Sequence, residues 1–385
     1  MKQENFSRSR RITLLAALCA SAFAFSQPAS AEKVVKIGVS GPYSGSIAHY
    51  GKDFENAVKL AIDEANAEGI KLGGEAVRFE MLSEDDQADP KQAVAVANRF
   101  VDAGVAGVVG HLTSGATIVA SKVYNAAGIP QVAPAATNPT LTRQNFHTVF
   151  RVIGDDQQVG ATIAQYMVGK LGAKNVAVVD DRTAFGQGLA DVVAKTVTRL
   201  GGKVGAREYT SDKASDFRTI LTNIKSKNVQ AIFYGGVDAQ AGPFRKQMIE
   251  MGMKIPLFGS SISSDAFASL AGKDAAEGTY SGDSGQAIEK MPGGPNFTKK
   301  FNARFGKVVM YAPYGYDATN VLINAMKAAN SADPKKYLPQ IYKLNFKGVT
   351  GQIAFDSKGD LRSAAVTISQ VRNGKFEPLE TISNK

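Results

Sequence analysis

The feature that most limits the possible folds is a sustained alternation of short apolar runs with amphipathic helical segments. Residues 34–39 form the first apolar run, and residues 54–67 carry apolar side chains at helical spacing. The pairing repeats with an apolar run over 77–82 and with a helix that Asp89-Pro90 opens. Because parallel sheets with helices on both faces produce this pattern, the sequence predicts an α/β fold.

The alternation restarts, which indicates two sheets rather than one. The alternation of helix and strand is interrupted over residues 146–155 and again near residues 279–282. The tail has a different character, since residues 352–356 and 365–371 alternate like strands and are followed by an Asn-Gly turn signal. The sequence therefore predicts two Rossmann-like lobes, each a parallel sheet flanked by helices.

The N-terminus has the organisation of a signal peptide. An apolar run over 12–25 ends in Ala29-Ser30-Ala31, and the positive charges before it are Lys2, Arg8, Arg10 and Arg11. The run is shorter than the about 20 residues that span a bilayer. We predict cleavage after Ala31 and export; the alternative is an uncleaved anchor, although no stop-transfer pattern follows.

Composition argues against several function classes. The formal net charge is +10, but Lys and Arg are scattered among acids, so no nucleic-acid partner is expected. Cys19, within the predicted signal, is the one cysteine in the sequence, so no disulfide is expected. The three histidines have no metal-ligand spacing, and no G-x-S-x-G motif occurs. We expect no catalytic residues, metal or cofactor, and hence no enzyme.

Loops that follow the strands are the candidate ligand contacts, because ligands bind beyond the carboxyl ends of open parallel sheets. Five loops are rich in small and polar residues, at 40–51, 110–117, 134–139, 179–188 and 234–238. Ser114 opens a predicted helix, whose free N–H groups favour an anion. The alternatives are that Ser114 caps its own helix, that Tyr50 is packing and that Phe185 belongs to the core.

Those loops together resemble the leucine/isoleucine/valine-binding protein family, the substrate-binding components of branched-chain amino acid ABC transporters. The matching segments span the chain after the signal, at 37–42, 84–93, 109–114, 134–139, 185–190 and 234–236. The resemblance implies the type I periplasmic binding fold, with two lobes joined by a three-strand hinge. With the breaks in the alternation and the changed tail, this predicts a first lobe of residues 32–152 plus 281–348 and a second of 153–280 plus 349–385.

The resemblance also implies ligand contacts in both lobes, at the first seven of nine predicted site residues. Ser114 and Thr137 fall where the family holds a ligand carboxylate, and the carbonyl of Ala135, next to Ala136, falls where it meets the ammonium group. Tyr50 falls beside the ligand side chain. In the second lobe Phe185 replaces a tyrosine and Val237 an aromatic residue.

One departure bears on the charge of the ligand. Ser261 stands where the family places the acidic partner of the ammonium group. An ammonium buried without a charged partner costs several kcal/mol. Asp238, whose loop faces the same cleft, is the candidate replacement; otherwise the ligand lacks an ammonium group.

The function implied is a periplasmic receptor that delivers an amino acid to an ABC permease in the inner membrane. A receptor for a keto acid, an aromatic acid or an amide is the alternative within binding proteins. A sensor that signals to a chemoreceptor is another. A monomer is expected.

Overall fold

The computed structural model of the protein describes residues 32–384. The predicted signal peptide, residues 1–31, lies outside this part of the chain. None of the helices found over 32–384 is long and apolar enough to cross a membrane.

Six strands form the first sheet: β1 (Lys33–Gly41), β2 (Lys71–Leu72), β3 (Glu75–Asp85), β4 (Gly107–Gly110), β5 (Gln131–Ala133) and β6 (Val149–Arg151). Their spatial order is β2-β3-β1-β4-β5-β6. The β2–β3 pair is antiparallel, and the other neighbours are parallel. The carboxyl ends of β1, β4 and β5 therefore lie at one edge of the sheet.

The second sheet contains β7 (Asn175–Asp180), β8 (Lys203–Tyr209), β9 (Ala231–Gly235), β10 (Leu257–Gly259) and β11 (Tyr280–Ser284). Two later strands, β14 (Ala364–Arg372) and β15 (Lys375–Asn384), extend it, while β12 (Phe346–Lys347) and β13 (Gln352–Ile353) pair separately. The order is β15-β14-β11-β10-β9-β7-β8. The strands from β7 to β11 are parallel, and β14 and β15 are antiparallel, as the changed character of the tail predicts.

The helices cover both sheets. In chain order they are α1 (Ala48–Glu68), α2 (Pro90–Asp102), α3 (Ser114–Ala127), α4 (Asp156–Gln165), α5 (Ala184–Arg199), α6 (Arg218–Lys225), α7 (Asp238–Glu250), α8 (Asp265–Ala271), α9 (Lys273–Ala276), α10 (Gly294–Phe305), α11 (Ala312–Ala329) and α12 (Pro334–Ile341). The side chains Phe54, Val58 and Ile62, predicted to share one face, are buried with Leu322 of α11 in the core of the first lobe. The two-sheet α/β fold predicted from the sequence is confirmed.

Three connections cross between the lobes, and their positions differ from the lobe boundaries that the sequence predicts. Residues 281–284, which the sequence assigns to the first lobe, belong to β11 and pair with β10 and β14. Conversely, Ile353 and Phe355, which the sequence predicts in the second lobe, are buried in the core of the first. We therefore propose that the chain crosses after β6, after β11 and between Phe355 and β14. The crossing points depend on which core buries each apolar side chain. The alternation of helix and strand in the sequence locates them only to within a few residues.

A buried arginine at the end of β6 links distant segments of the first lobe, and no local pattern in the sequence predicts its contacts. Arg151 is fully buried and pairs with Asp360 through Nε at 3.0 Å and through Nη2. Its Nη1 donates to the carbonyls of Ala136 and Asn138 at 3.1 and 3.0 Å. The guanidinium thus holds the 134–139 loop in place, and its own carboxylate partner lies 209 positions further along the chain.

We expect Arg151→Met to destabilise the protein by about 3–5 kcal/mol, because it leaves a carboxylate and two buried carbonyls without their donor. The measurement is equilibrium urea unfolding. Arg78→Met is the matched control: Arg78 pairs with Glu80 at the surface, and its loss should cost less than about 1 kcal/mol. Equal effects of the two changes would contradict this account.

Candidate ligand-binding site

A cavity of about 580 Å³ lies between the two lobes, at the carboxyl ends of both sheets. Its volume is in the range of small-molecule sites. Six of the nine predicted site residues line it: Tyr50, Ser114, Ala135, Phe185, Val237 and Ser261. The other three, Ala136, Thr137 and Asp238, are buried next to them in the chain. The structure thus brings the predicted loops of both lobes together, and contact with a ligand remains a prediction for each residue.

The N-terminus of α3 forms the polar end of the cavity. Thr113, not Ser114, occupies the N-cap position and makes no capping hydrogen bond through its side chain. The Ser114 hydroxyl instead accepts the backbone N–H of Asn138 at 3.3 Å, so it does not cap its own helix. The Thr113 and Thr137 hydroxyls are buried and have no hydrogen-bond partner among residues 32–384. Donors at a helix N-terminus suit a carboxylate.

Gly110 shapes this end of the site. Its φ is +131°, and a Cβ there would lie 2.4 Å from the carbonyl oxygen of Ser40. Only glycine allows β1 and β4 to approach so closely before the 110–117 loop begins. The following His111 is buried between Asp86 and Tyr124, with ring nitrogens at 2.6 and 3.0 Å from their oxygens. His111 therefore supports the loop from inside the lobe.

A hydrogen-bond cluster around Asp238 connects the two lobes. Asp238 is the first residue of α7 and is fully buried. Its Oδ2 accepts the Tyr50 hydroxyl at 2.8 Å and the Ser264 hydroxyl, and lies 2.9 Å from Nε2 of His49. The Tyr50 hydroxyl also donates to the Ser261 carbonyl at 3.0 Å. Burial beside the Asp238 carboxylate raises the pKa of Tyr50 well above its usual value, so the phenol remains a donor.

The Asp238 cluster bears on the alternative that Tyr50 is a packing residue, and it adds His49 to the residues of the site. Tyr50 both packs, edge-on to Tyr311 at 5.2 Å between ring centroids, and lines the cavity. His49 is one of the three histidines without metal-ligand spacing, and its contact with Asp238 of the second lobe has no signature in a single sequence. Among residues 32–384 no group of histidine, cysteine and acidic residues could hold a metal ion.

The apolar wall and the Ser261 loop complete the site. Phe185 and Val237 face Tyr50, Leu112 and Tyr311 across the cavity. The Ser261 hydroxyl accepts from Tyr311 at 2.8 Å, and its backbone N–H donates to Asp283 at 2.7 Å. This loop therefore brings no carboxylate of its own to the cavity.

Two carboxylates of the second lobe do line the cavity, Asp181 and Asp212. Asp181 follows β7, and its Oδ1 accepts the N–H and the hydroxyl of Thr183 at 2.9 and 2.6 Å. Burial raises its pKa to about 6, although the Thr183 donors oppose the rise. This turn leads directly into α5, whose N-cap is Thr183.

The two-lobed fold with a cleft at facing sheet edges defines a class, and sequence comparison agrees with it. A family model described as periplasmic binding protein matches residues 34–375, so the chain belongs to that family. The chain is 34% identical over 343 residues to Leu/Ile/Val-binding protein homolog 2 of Brucella abortus (strain 2308), covering 89% of this chain and 91% of that protein. It is also 34% identical over 369 residues to a Pseudomonas aeruginosa protein named amino acid binding protein, covering 95% and 97%.

Solved structures of similar proteins have the same architecture. The leucine binding protein LivK from Thermotoga maritima superposes with a TM-score of 0.84 at 27% identity, covering 90% of this chain and 98% of that one. The branched-chain amino acid transporter substrate binding protein LivJ from Streptococcus pneumoniae, in complex with isoleucine, gives 0.82 at 28% identity, with coverage of 91% and 100%. The predicted type I periplasmic binding fold is confirmed.

We expect Tyr50→Phe to weaken every ligand that closes the lobes by a similar factor of about 5, because the hydroxyl joins the lobes and a hydrogen bond contributes about 1 kcal/mol. The measurement is isothermal titration calorimetry with ligands of different charge. Tyr342→Phe is the control, since its hydroxyl bonds the His147 carbonyl within the first lobe at 3.0 Å. A loss that depends on the charge of the ligand would place the Tyr50 hydroxyl on the ligand instead.

Proposed function

We propose that the protein is an exported receptor that binds an aliphatic amino acid between its lobes and delivers it to an ABC permease in the inner membrane. The observation that carries this proposal is the inter-lobe cavity, which has an anion-binding helix end on one side and apolar walls on the other. Relatives named for leucine, isoleucine and valine support the same ligand class. Export rests on the predicted signal peptide and on membership of a periplasmic family.

The polar end suits the carboxylate of the ligand. Ser114 and Thr137 present hydroxyls there, and the small side chains of Ala135 and Ala136 let a ligand approach the backbone. We propose that Ser114 and Thr137 donate to the carboxylate and that the Ala135 carbonyl accepts from the ammonium group. The Thr137 hydroxyl has no partner among the described residues, so it is available for this role.

The apolar walls suit a branched aliphatic side chain. Tyr50, Leu112, Phe185 and Val237 come from four different segments, two of them the first turns of α1 and α5, and enclose one space. Val237 and Phe185, where the family has larger or hydroxylated aromatics, leave this wall apolar. Because apolar burial contributes roughly 25 cal/mol per Å², a leucine-sized side chain gains several kcal/mol in such a space.

A second candidate ligand is a carboxylate without an amine, such as a keto acid. The Ser261 loop favours it, since its polar groups are occupied by Tyr311 and Asp283 and it offers no negative charge. The helix end, the hydroxyls and the apolar walls would serve such a ligand equally well.

A thermal-shift panel separates the two ligands. We expect leucine, isoleucine and valine to raise the melting temperature, because a ligand at 100 times its dissociation constant stabilises by about 2.7 kcal/mol. The chain has no tryptophan, so the readout is a dye or calorimetry. The corresponding keto acids and benzoate belong in the same panel. A shift with keto acids and none with the amino acids would replace the leading proposal with the second.

We expect Ser114→Ala to weaken leucine by about 10- to 150-fold, since a hydrogen bond to a charged group contributes about 1.5–3 kcal/mol. Ser121→Ala on the same helix is the control, because its hydroxyl bonds only the Ile118 carbonyl and Gln144. Calorimetric dissociation constants provide the comparison. An unchanged constant for Ser114→Ala would remove this hydroxyl from the site.

A further inference from the structure

A buried carboxylate in the wall of the second lobe has an oxygen without a hydrogen-bond partner. Asp181 lines the cavity and is only 3% exposed. Its Oδ1 accepts both hydrogen bonds from Thr183, and its Oδ2 accepts none from any residue in the range 32–384. An ionised carboxylate offers about four acceptor positions. Asp181 therefore keeps acceptor capacity on a surface that a ligand touches.

The charge of Asp181 has no counter-ion in the described part of the chain. The neighbouring Asp180 pairs with Arg207 at 2.6 Å, whereas no salt bridge reaches Asp181. Arg182, the next residue, places its guanidinium over the ring of Tyr209, 3.7 Å from the ring centroid. Burial is the main cause of the raised pKa of Asp181, and the charges of neighbouring acids add to the rise. This part of the cavity wall therefore favours a cation.

Two apolar residues of the wall flank this carboxylate. A Cβ on Gly186, next to Phe185, would overlap Oδ1 of Asp181. A Cβ on Gly236, next to Val237, would lie 2.9 Å from Oδ2. The carboxylate thus lies between the first turn of α5 and the turn that follows β9. A ligand side chain that packs on Phe185 and Val237 can therefore reach Asp181 with its far end.

A second polar side chain without a partner lines the same cavity. Gln240 lies in the first turn of α7 and is 7% exposed. Its backbone N–H donates to the Val237 carbonyl at 3.2 Å, but its side-chain amide bonds no residue among those described. Buried polar groups in folded proteins nearly always have partners. Two such groups on one wall indicate that this wall binds a polar group of the ligand.

We propose that Asp181 and Gln240 bind a hydrogen-bond donor at the far end of the ligand side chain, so that the ligands include amino acids whose aliphatic chain ends in an amino group. This inference rests on the proposed function and deepens it. Phe185 and Val237 contact the methylene groups, and Asp181 pairs with the terminal charge. An ammonium group has three donors and no acceptor, which suits Oδ2 of Asp181 and the amide oxygen of Gln240. The side chain of leucine leaves both oxygens without a donor.

Three amino acids with side chains of equal length test the proposal. Norleucine, 5-hydroxynorvaline and ornithine end in a methyl, a hydroxyl and an ammonium group. We expect their dissociation constants to fall in that order, with ornithine at least 10-fold tighter than norleucine, as a hydrogen bond to a charged group implies. The measurement is calorimetry at pH 7.5, where Asp181 is ionised because its pKa is about 6. Ornithine binding no tighter than norleucine would overturn the proposal.

Asp181→Asn removes the charge and keeps an oxygen for the hydrogen bonds from Thr183. We expect the ratio of the norleucine to the ornithine dissociation constant to fall at least 10-fold, and any general effect on closure cancels from this ratio. Asp216→Asn is the matched control, since Asp216 pairs with Arg218 at 3.3 Å on the surface of the same lobe. The ratio should stay within about 2-fold there. Equal changes in the two variants would assign the effect to the net charge of the lobe and overturn the role of Asp181.

Gln240→Met tests the same wall without touching the carboxylate. The change removes the amide and loses no hydrogen bond within residues 32–384, so the variant should fold as the wild-type protein does. We expect the ratio to fall by about 3- to 10-fold, as the loss of one hydrogen bond implies. An unchanged ratio would remove Gln240 from the proposed contact.

The outcomes separate this inference from the proposed function. If leucine and norleucine bind and ornithine does not, the role of Asp181 is wrong and the receptor for aliphatic amino acids stands. If ornithine binds tightly and Asp181→Asn leaves the ratio unchanged, another group holds the terminal ammonium and the inference fails alone. If none of these amino acids binds, the proposed function fails, and the inference fails with it.

Discussion

The structure depends on one constraint: both sheets are covered by helices on their faces, so only the carboxyl edges of the parallel strands are open to a ligand. The chain crosses between the sheets three times, and these crossings turn the two open edges toward each other. Loops after β1, β4 and β5 then face loops after β7, β9 and β10. A binding site assembled in this way can change its ligand by changing loop residues while the sheets and helices stay the same.

Closure of the lobes and burial of charge are linked in this fold. Asp238 belongs to the second lobe, yet its donors include Tyr50 and His49 from the first. When the lobes separate, water solvates the carboxylate; when they close, these side chains must replace that water. The contact is therefore satisfied in one closed arrangement, which gives the hinge two defined states.

Local elements could be predicted from the sequence because their determinants are close along the chain. The α3 helix begins at Ser114 and ends before Gly128, which has the left-handed φ of a C-cap, as the pattern indicates. The α1 helix begins at Ala48 instead of the predicted Phe54, because its first turn faces the cleft and lacks the periodic apolar stripe. The loops that carry Tyr50, Ser114 and Phe185 were identified for the same local reason.

Contacts between distant segments could not be predicted. Arg151 meets Asp360, Tyr50 meets Asp238 and Tyr311 meets Ser261, and in each case only the fold reveals the partner. Arg151 is the clearest example, since an arginine at the end of a short strand looks like an ordinary exposed residue in the sequence, yet it is fully buried.

The position of the polar contacts determines how a ligand enters. In the proposed site the donors to the carboxylate, Ser114 and Thr137, and the Ala135 carbonyl that accepts from the ammonium group all belong to the first lobe. An open protein then already presents these polar contacts on one side of the cleft. The second lobe adds Phe185, Val237 and the Asp238 cluster only when it closes, so in this proposal charge selects the ligand first, and closure then tests whether its apolar side chain fits.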